Sequence, residues 1–295
     1  MLLIVISLAI PAPAPVYDFA AAEARANQTS TSDTAPSTDA PDSTSEGAAE
    51  PPPPGAVSIG VFGGSTGVLL GAALFDWAAG IPDVQAVPAW SRFGCGFVTA
   101  GEYLGRDPLG NPERVRPGAV CQGWEERWFD ATRQHRVQVA LIVTGVWETT
   151  DWVLDGYETP LAIDSPELDL LARFQIIRAI GGLTAEGARV VITAAPNIGP
   201  GTSGQARADR GLPDDHNQRV AIYNQIRREI AGSRDDVIVI DYGSYIDAFP
   251  PEQSVAWLPD GIHPTDEAAR RIWSDYLGPT VHDAVATTWP QLSGV

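Results

Sequence analysis

Ser65 stands in the run Phe62-Gly63-Gly64-Ser65-Thr66-Gly67, and Asp260 precedes His263 by three residues in Leu258-Pro259-Asp260-Gly261-Ile262-His263-Pro264-Thr265. A serine on a tight glycine turn that opens a helix has an exposed hydroxyl. The backbone N–H groups beside it can hold an anion, either a phosphate or the oxyanion of acyl transfer. An aspartate three residues before a histidine on a glycine-containing loop can turn back onto the imidazole. There it fixes the tautomer and stabilises the imidazolium formed when the ring takes a proton. Each segment also has a plainer reading: glycines permit a tight strand-to-helix turn, and a surface histidine can simply precede a helix. Pro264 suits the first turn of that helix, and Asp266 and Glu267 suit its dipole. The other three histidines, His135, His216 and His282, lie in polar or helical segments and are expected to be solvated.

Composition narrows the chemistry further. All 19 basic residues are arginine, which excludes the P-loop phosphate clamp, Schiff bases, Ser-Lys dyads and Tyr-x-x-x-Lys pairs. A net charge of −18 with no basic run argues against nucleic acid or an anionic membrane surface as partner. Gly64, Gly67 and Gly71 imitate a dinucleotide fingerprint, but that fold wants a carboxylate at the end of the second strand. The second strand-like run ends instead in Trp90-Ser91-Arg92. No metal and no organic cofactor is expected.

For Ser65 and His263 to meet, their loops must open on one edge of a sheet, and the element pattern provides such an edge. Apolar runs at Val57–Phe62, Val84–Trp90, Val137–Thr144, Val190–Ala195 and Val237–Tyr242 read as strands. Helix-period stretches at Gly67–Ala79, Gln122–Arg133, Pro166–Ile180, Asp214–Ala231 and Pro264–Ala286 alternate with them. Strand-helix alternation implies an α/β fold with a mainly parallel five-stranded sheet covered by helices on both faces, and sites in such sheets form beyond the carboxyl ends of the strands. Ahead of this domain, 56–295, lie two other parts. Residues 18–55 are rich in Ala, Ser, Thr, Asp, Glu and Pro and read as a disordered acidic tether. Residues 1–17 begin with an apolar stretch, Met1–Ile10, interrupted only by Ser7 and cut short by Pro11, Pro13 and Pro15. That is about half of the roughly 20 residues a bilayer span needs, and leaves open a signal peptide, the stump of a membrane helix or a plain disordered end. The first two readings put the domain outside the cytoplasm.

Together, a strand-terminal Gly63-Gly64-Ser65 and a late Asp260-x-x-His263 resemble the first and last blocks of the SGNH/GDSL hydrolases. The likeness is closer to the SGNH domains that follow the membrane domain in bacterial cell-surface O-acyltransferases. Gly94-Cys95-Gly96, Cys121 with Trp124 and Trp128, and Gly145-Val146-Trp147-Glu148 to Asp151 match motifs that recur there. The resemblance spans roughly Val57 to Leu277. It implies a three-layer, flavodoxin-like α/β/α sandwich in which Ser65 is the nucleophile, His263 the general base and Asp260 its partner. The backbone N–H groups of Ser65 and Gly94 are then oxyanion donors. The implied substrate is an acylated cell-surface sugar or another small ester, and a membrane O-acyltransferase is the implied partner. Two positions depart from the family: its Gly-Asp-Ser aspartate is Gly64 here, and its block-three asparagine, a side-chain oxyanion donor, falls at Trp147. These departures favour the alternative, a weakly active or inactive domain that binds a glycan or an acyltransferase partner.

Cys95 and Cys121 are 26 positions apart. An extracytoplasmic domain can keep them as a disulfide, which by the resemblance would fasten the loop that carries Gly94; two buried thiols or a metal site are the other readings. Of the nine tryptophans, Trp124, Trp128, Trp147 and Trp152 fall near the expected site in sequence. Their faces suit sugar rings, and ordinary core packing accounts for them as well.

Overall fold

The structure, a computed structural model, describes residues 55–106 and 111–292. The apolar segment 1–17 and the acidic tether, apart from Gly55, lie outside the described residues. Five parallel strands form the main sheet: β1 (Val57–Gly63), β2 (Val84–Ala86), β5 (Val139–Val143), β7 (Arg189–Thr193) and β8 (Val237–Ile240), in the order β2-β1-β5-β7-β8. Every residue of β1 and of β5 is buried, as expected of near-continuous apolar strands covered on both faces. Side chains alternate between two cores. Phe62, Ala140, Ile142, Val190 and Ile192 face α2 (Trp124–His135), α3 (Pro166–Ala185) and α5 (His216–Ala231). Ile59, Val61, Leu141, Val143 and Val191 face α1 (Ser65–Ala78), α8 (Asp266–Ile272) and α9 (Gly278–Thr288). The result is the three-layer α/β/α architecture expected from the sequence. Among the strands of this sheet alone the order is 2-1-3-4-5, a doubly wound arrangement whose direction reverses between β1 and β5, and the loops leaving those two strands flank a crevice.

Three local expectations are corrected. The strand expected over Val84–Trp90 keeps its ladder only to Ala86, because Pro88 has no N–H to donate. The chain rejoins β1 afterwards, where Ser91 bridges to Gly63 and the Arg92 N–H donates to the Gly63 carbonyl at 3.0 Å. The helix expected from Pro264 begins at Asp266 instead. Its N-cap is Thr265, whose Oγ1 accepts the Ala268 N–H at 3.2 Å, so Pro264 stands ahead of the cap. That helix is also not continuous: a π turn at Trp273–Leu277 separates α8 from α9, and Trp273 there donates its indole N–H to the Leu70 carbonyl at 2.6 Å.

A second sheet was not expected. The strands β3 (Gly101–Arg106), β4 (Pro112–Val115) and β6 (Trp152–Leu154) pair antiparallel in the order β4-β3-β6. These runs are too short, and too mixed in polarity, to read as strands from periodicity alone. Their role is visible at Tyr103, whose ring lies 4.5 Å from that of Trp147 and 5.7 Å from that of Trp152.

Candidate active site

The turn that presents Ser65 is fixed by two glycines for different reasons. Gly63 ends β1 at φ +147°, and a Cβ there would lie 1.9 Å from the Val143 carbonyl oxygen, so no side chain fits. Gly64 has an ordinary φ of −86°, but a Cβ on it would come within 2.6 Å of the Cys95 carbonyl oxygen. The Gly64 N–H donates to the Val143 carbonyl at 3.1 Å, and α1 starts at the next residue. Ser65 therefore sits at a helix N-terminus beyond the carboxyl end of the sheet. Its own N–H is among those that α1 cannot pair internally.

His263 and Asp260 arrive from the loop between the short helix α7 (Pro251–Trp257) and α8. Asp260 folds back on this loop as the spacing suggested: its Oδ1 accepts the N–H groups of Ile262 at 3.0 Å and of His263 at 2.8 Å. Its Oδ2 lies 2.5 Å from His263 Nδ1, and His263 Nε2 lies 2.6 Å from Ser65 Oγ. With Nδ1–H donated to the carboxylate, Nε2 is left to accept the Ser65 hydroxyl proton. Three residues separated by up to 198 positions thus form one hydrogen-bonded chain. Burial works to raise the Asp260 carboxyl. The hydrogen bond and charge of the His263 ring, the His263 backbone N–H and, least of these, the charge of Arg210 outweigh it and hold the group well below the usual carboxylate range. Arg210 donates from Nη2 to Oδ2 at 2.6 Å.

A cleft opens at Ser65. Its walls are the Gly64–Thr66 turn, Cys95, the run Val143–Trp147 after β5, the run Ala195–Ile198 after β7, and Gly261–Ile262 of the histidine loop. Trp147 is part of that wall, held by Tyr103 behind it. The wall on the other side is Cys95; Gly94, the neighbouring residue, turns there at φ +71°. Cys95 is bonded to Cys121 with a Cα–Cα separation of 5.3 Å, so of the three states left open for these cysteines the structure has the disulfide. Trp124 and Trp128 are buried core residues packed edge-on or tilted against Phe97 and each other, away from any role as a sugar platform.

His216 was expected in solvent and is instead 1% exposed, lining the cleft at the start of α5. Its Nε2 lies 2.9 Å from Thr149 Oγ1. Burial, aided by the charges of Arg207 and Arg219, pushes its pKa down to about 4, so the ring is neutral at ordinary pH. The spacing of His216, Val220, Tyr223 and Arg227 places them on one helical face, but only the packing of α5 makes that face a buried one. His282 is half-buried and paired with Asp83 at 2.9 Å. His135 is half-buried, and burial lowers its pKa.

Two further buried groups support the walls: Arg227, not singled out from sequence, and Glu148, named there only as part of the Gly145–Asp151 motif. Arg227 is fully buried and donates to the Thr193 carbonyl at 2.6 Å, and to the Thr144 carbonyl and hydroxyl at 2.6 and 2.7 Å. It thereby ties the ends of β5 and β7 to α5. Glu148 is fully buried, burial raises its pKa, and its Oε1 accepts the Phe97 N–H at 2.6 Å. This bond, with the disulfide, fixes the 94–97 segment from two sides.

No family model matches the chain, and no curated protein does. Among solved structures, the chain is similar to a protein of Bacteroides fragilis described as an acylhydrolase, at 14% identity, 78% of this chain, 87% of that one and a TM-score of 0.48. It is also similar to the periplasmic domain of a Salmonella ser. Paratyphi A lipopolysaccharide acetyltransferase, at 10% identity, 78% and 85% coverage and a TM-score of 0.48. A third likeness, to an acetyl xylan esterase, covers 75% of this chain and 100% of that one at 14% identity and a TM-score of 0.43. Likeness at this level transfers no activity from those proteins to this chain.

Proposed function

We propose that the chain is a serine-dependent O-acyl ester hydrolase or O-acyltransferase of the SGNH/GDSL type. Its substrate is an acylated cell-surface glycan or a related ester, handled outside the cytoplasm. The observation that supports this reading is the hydrogen-bonded chain Ser65–His263–Asp260 at the mouth of a cleft, with contacts of 2.6 and 2.5 Å. In this mechanism Ser65 Oγ attacks the acyl carbon while His263 Nε2 takes its proton. His263 then returns that proton to the leaving alkoxide, and Asp260 steadies the imidazolium between the two steps. The acyl-enzyme passes to water or to a sugar hydroxyl by the reverse path. The N–H groups of Ser65 and Gly94 are the oxyanion donors in this reading, and Trp147 is a wall of the cleft.

The disulfide suits an oxidising compartment, and a membrane O-acyltransferase is the partner this reading gives the domain. The rival binding-only reading drew on Gly64 and Trp147; for Gly64, the lack of a side chain has a steric reason in Cys95 that leaves the serine in hydrogen-bonding contact with its base. Fluorophosphonate labelling of the full chain, beside Ser65→Ala and His263→Ala, tests the proposal. Labelling of the parent alone is expected. A folded parent that takes no label would sink the enzyme reading.

A further inference from the structure

Asp260 Oδ2 has two charged or chargeable partners. His263 Nδ1 is 2.5 Å away and Arg210 Nη2 is 2.6 Å away. Arg210 comes from a different part of the chain. It follows the short helix α4 (Ala206–Asp209) in a segment that wraps around the aspartate loop. The Gly199 N–H donates to the Gly261 carbonyl at 2.9 Å, and the Thr202 N–H donates to the Pro259 carbonyl at 2.7 Å. A Cβ on Gly261 would come within 2.9 Å of Ala206 Cβ. The same segment begins at Asn197 and Ile198, which line the cleft. Arg210 is thus delivered to one carboxylate oxygen by a segment closely fitted to the loop, and its side chain is only 29% exposed.

A carboxylate that hydrogen-bonds an imidazole and has no other partner favours the imidazolium strongly, and a general base must be neutral before it can take a proton. A guanidinium on the same oxygen draws off part of that negative charge while keeping the oxygen in place. We propose that Arg210 is a positioning residue of the Ser65–His263–Asp260 chain: it fixes Asp260 Oδ2 toward His263 and weakens the carboxylate's hold on the imidazolium. Groups that face the pair include Arg210 on Asp260 Oδ2, from the wrapping segment, the Ile262 and His263 N–H groups on Oδ1, and the Ser65 hydroxyl on His263 Nε2, from α1. Arg210 bonds Asp260 rather than Ser65, so the effect proposed for it is on the base. This inference rests on the ester-chemistry reading for its catalytic meaning, but its test does not need turnover.

The experiment follows the His263 ring by NMR through a pH titration of the full chain, with the signal assigned by its loss in His263→Ala. Arg210→Met keeps the length of the side chain and removes the charge; Arg210→Lys keeps the charge. The titration midpoint is expected to rise by roughly half a pH unit or more in Arg210→Met, and to stay near the parent in Arg210→Lys. An unchanged or lowered midpoint in Arg210→Met overturns the proposal, as does an Arg210→Lys midpoint that moves with Arg210→Met. Where the parent takes fluorophosphonate, the acidic limb of its labelling rate should move the same way in Arg210→Met. A parent that takes no label while the midpoint still shifts overturns the enzyme reading and leaves the charge relation standing.

Discussion

Restoring the aspartate of a Gly-Asp-Ser block, by Gly64→Asp, should damage this protein rather than improve it. A Cβ at position 64 would lie 2.6 Å from the Cys95 carbonyl oxygen, whereas ordinary contact begins near 3.4 Å, so the turn and the Cys95 segment must part by about 0.8 Å. Neither side yields easily. The turn is bonded to Val143 through the Gly64 N–H, and the Cys95 segment is held by the disulfide and by Glu148. Forcing extra atoms into such a site costs about 1–3 kcal/mol, which for a domain of this size lowers the melting temperature by about 2–4 °C per kcal/mol. The displaced atoms include those flanking Ser65, and a misplacement of about 1 Å costs on the order of 100-fold in rate. Fluorophosphonate labelling rates and thermal melts of Gly64→Ala and Gly64→Asp measure both effects. Because the clash is with Cβ, alanine should already show most of the loss. A Gly64→Asp protein that melts and labels like the parent would refute the steric account of this position.

Trp147→Phe keeps the wall against Tyr103 and removes the indole N–H, so its labelling rate should stay close to the parent; a fall of about 10²–10³ would mean that the indole is an oxyanion donor. Replacing Cys95 and Cys121 together by alanine opens a loop with a sequence separation of 26, and should lower the unfolding free energy in urea by about 3.5 kcal/mol; an unchanged midpoint and slope would contradict this. His216 has a folded pKa of about 4 against an ordinary 6.5. The unfolded chain therefore binds more protons between these values, and the stability present above pH 6.5 is lost as the pH falls toward 4. The full shift corresponds to about 3 kcal/mol. A urea-unfolding series across that window should show the decline in the parent and a shallower one in His216→Asn, whereas parallel slopes would remove His216 as its source.

Much of the architecture could be read from the chain because it rests on local patterns. Valine- and isoleucine-rich runs such as Val139–Val143 are strands buried on both faces, and the amphipathic stretches between them leave only a parallel, helix-covered sheet. That topology brings the ends of β1 and of the last loop to one edge, so Ser65 and the Asp260–His263 pair could be named, and the backward turn of Asp260 follows from its three-residue spacing. Charge composition and the absence of lysine, likewise fixed by sequence, ruled out whole classes of chemistry. What the sequence by itself could not determine depends on contacts between residues far apart in the chain. Cys95 is 31 positions beyond Gly64 yet its carbonyl decides why no side chain stands there, and Arg210 is 50 positions from the carboxylate it holds. His216 is polar in type and local setting, and only the packing of α5 against the 147–149 turn makes it a buried, neutral wall of the cleft. Periodicity reports which face of an element is apolar; the partner opposite that face, and the charge brought to a given oxygen, are set by the tertiary fold.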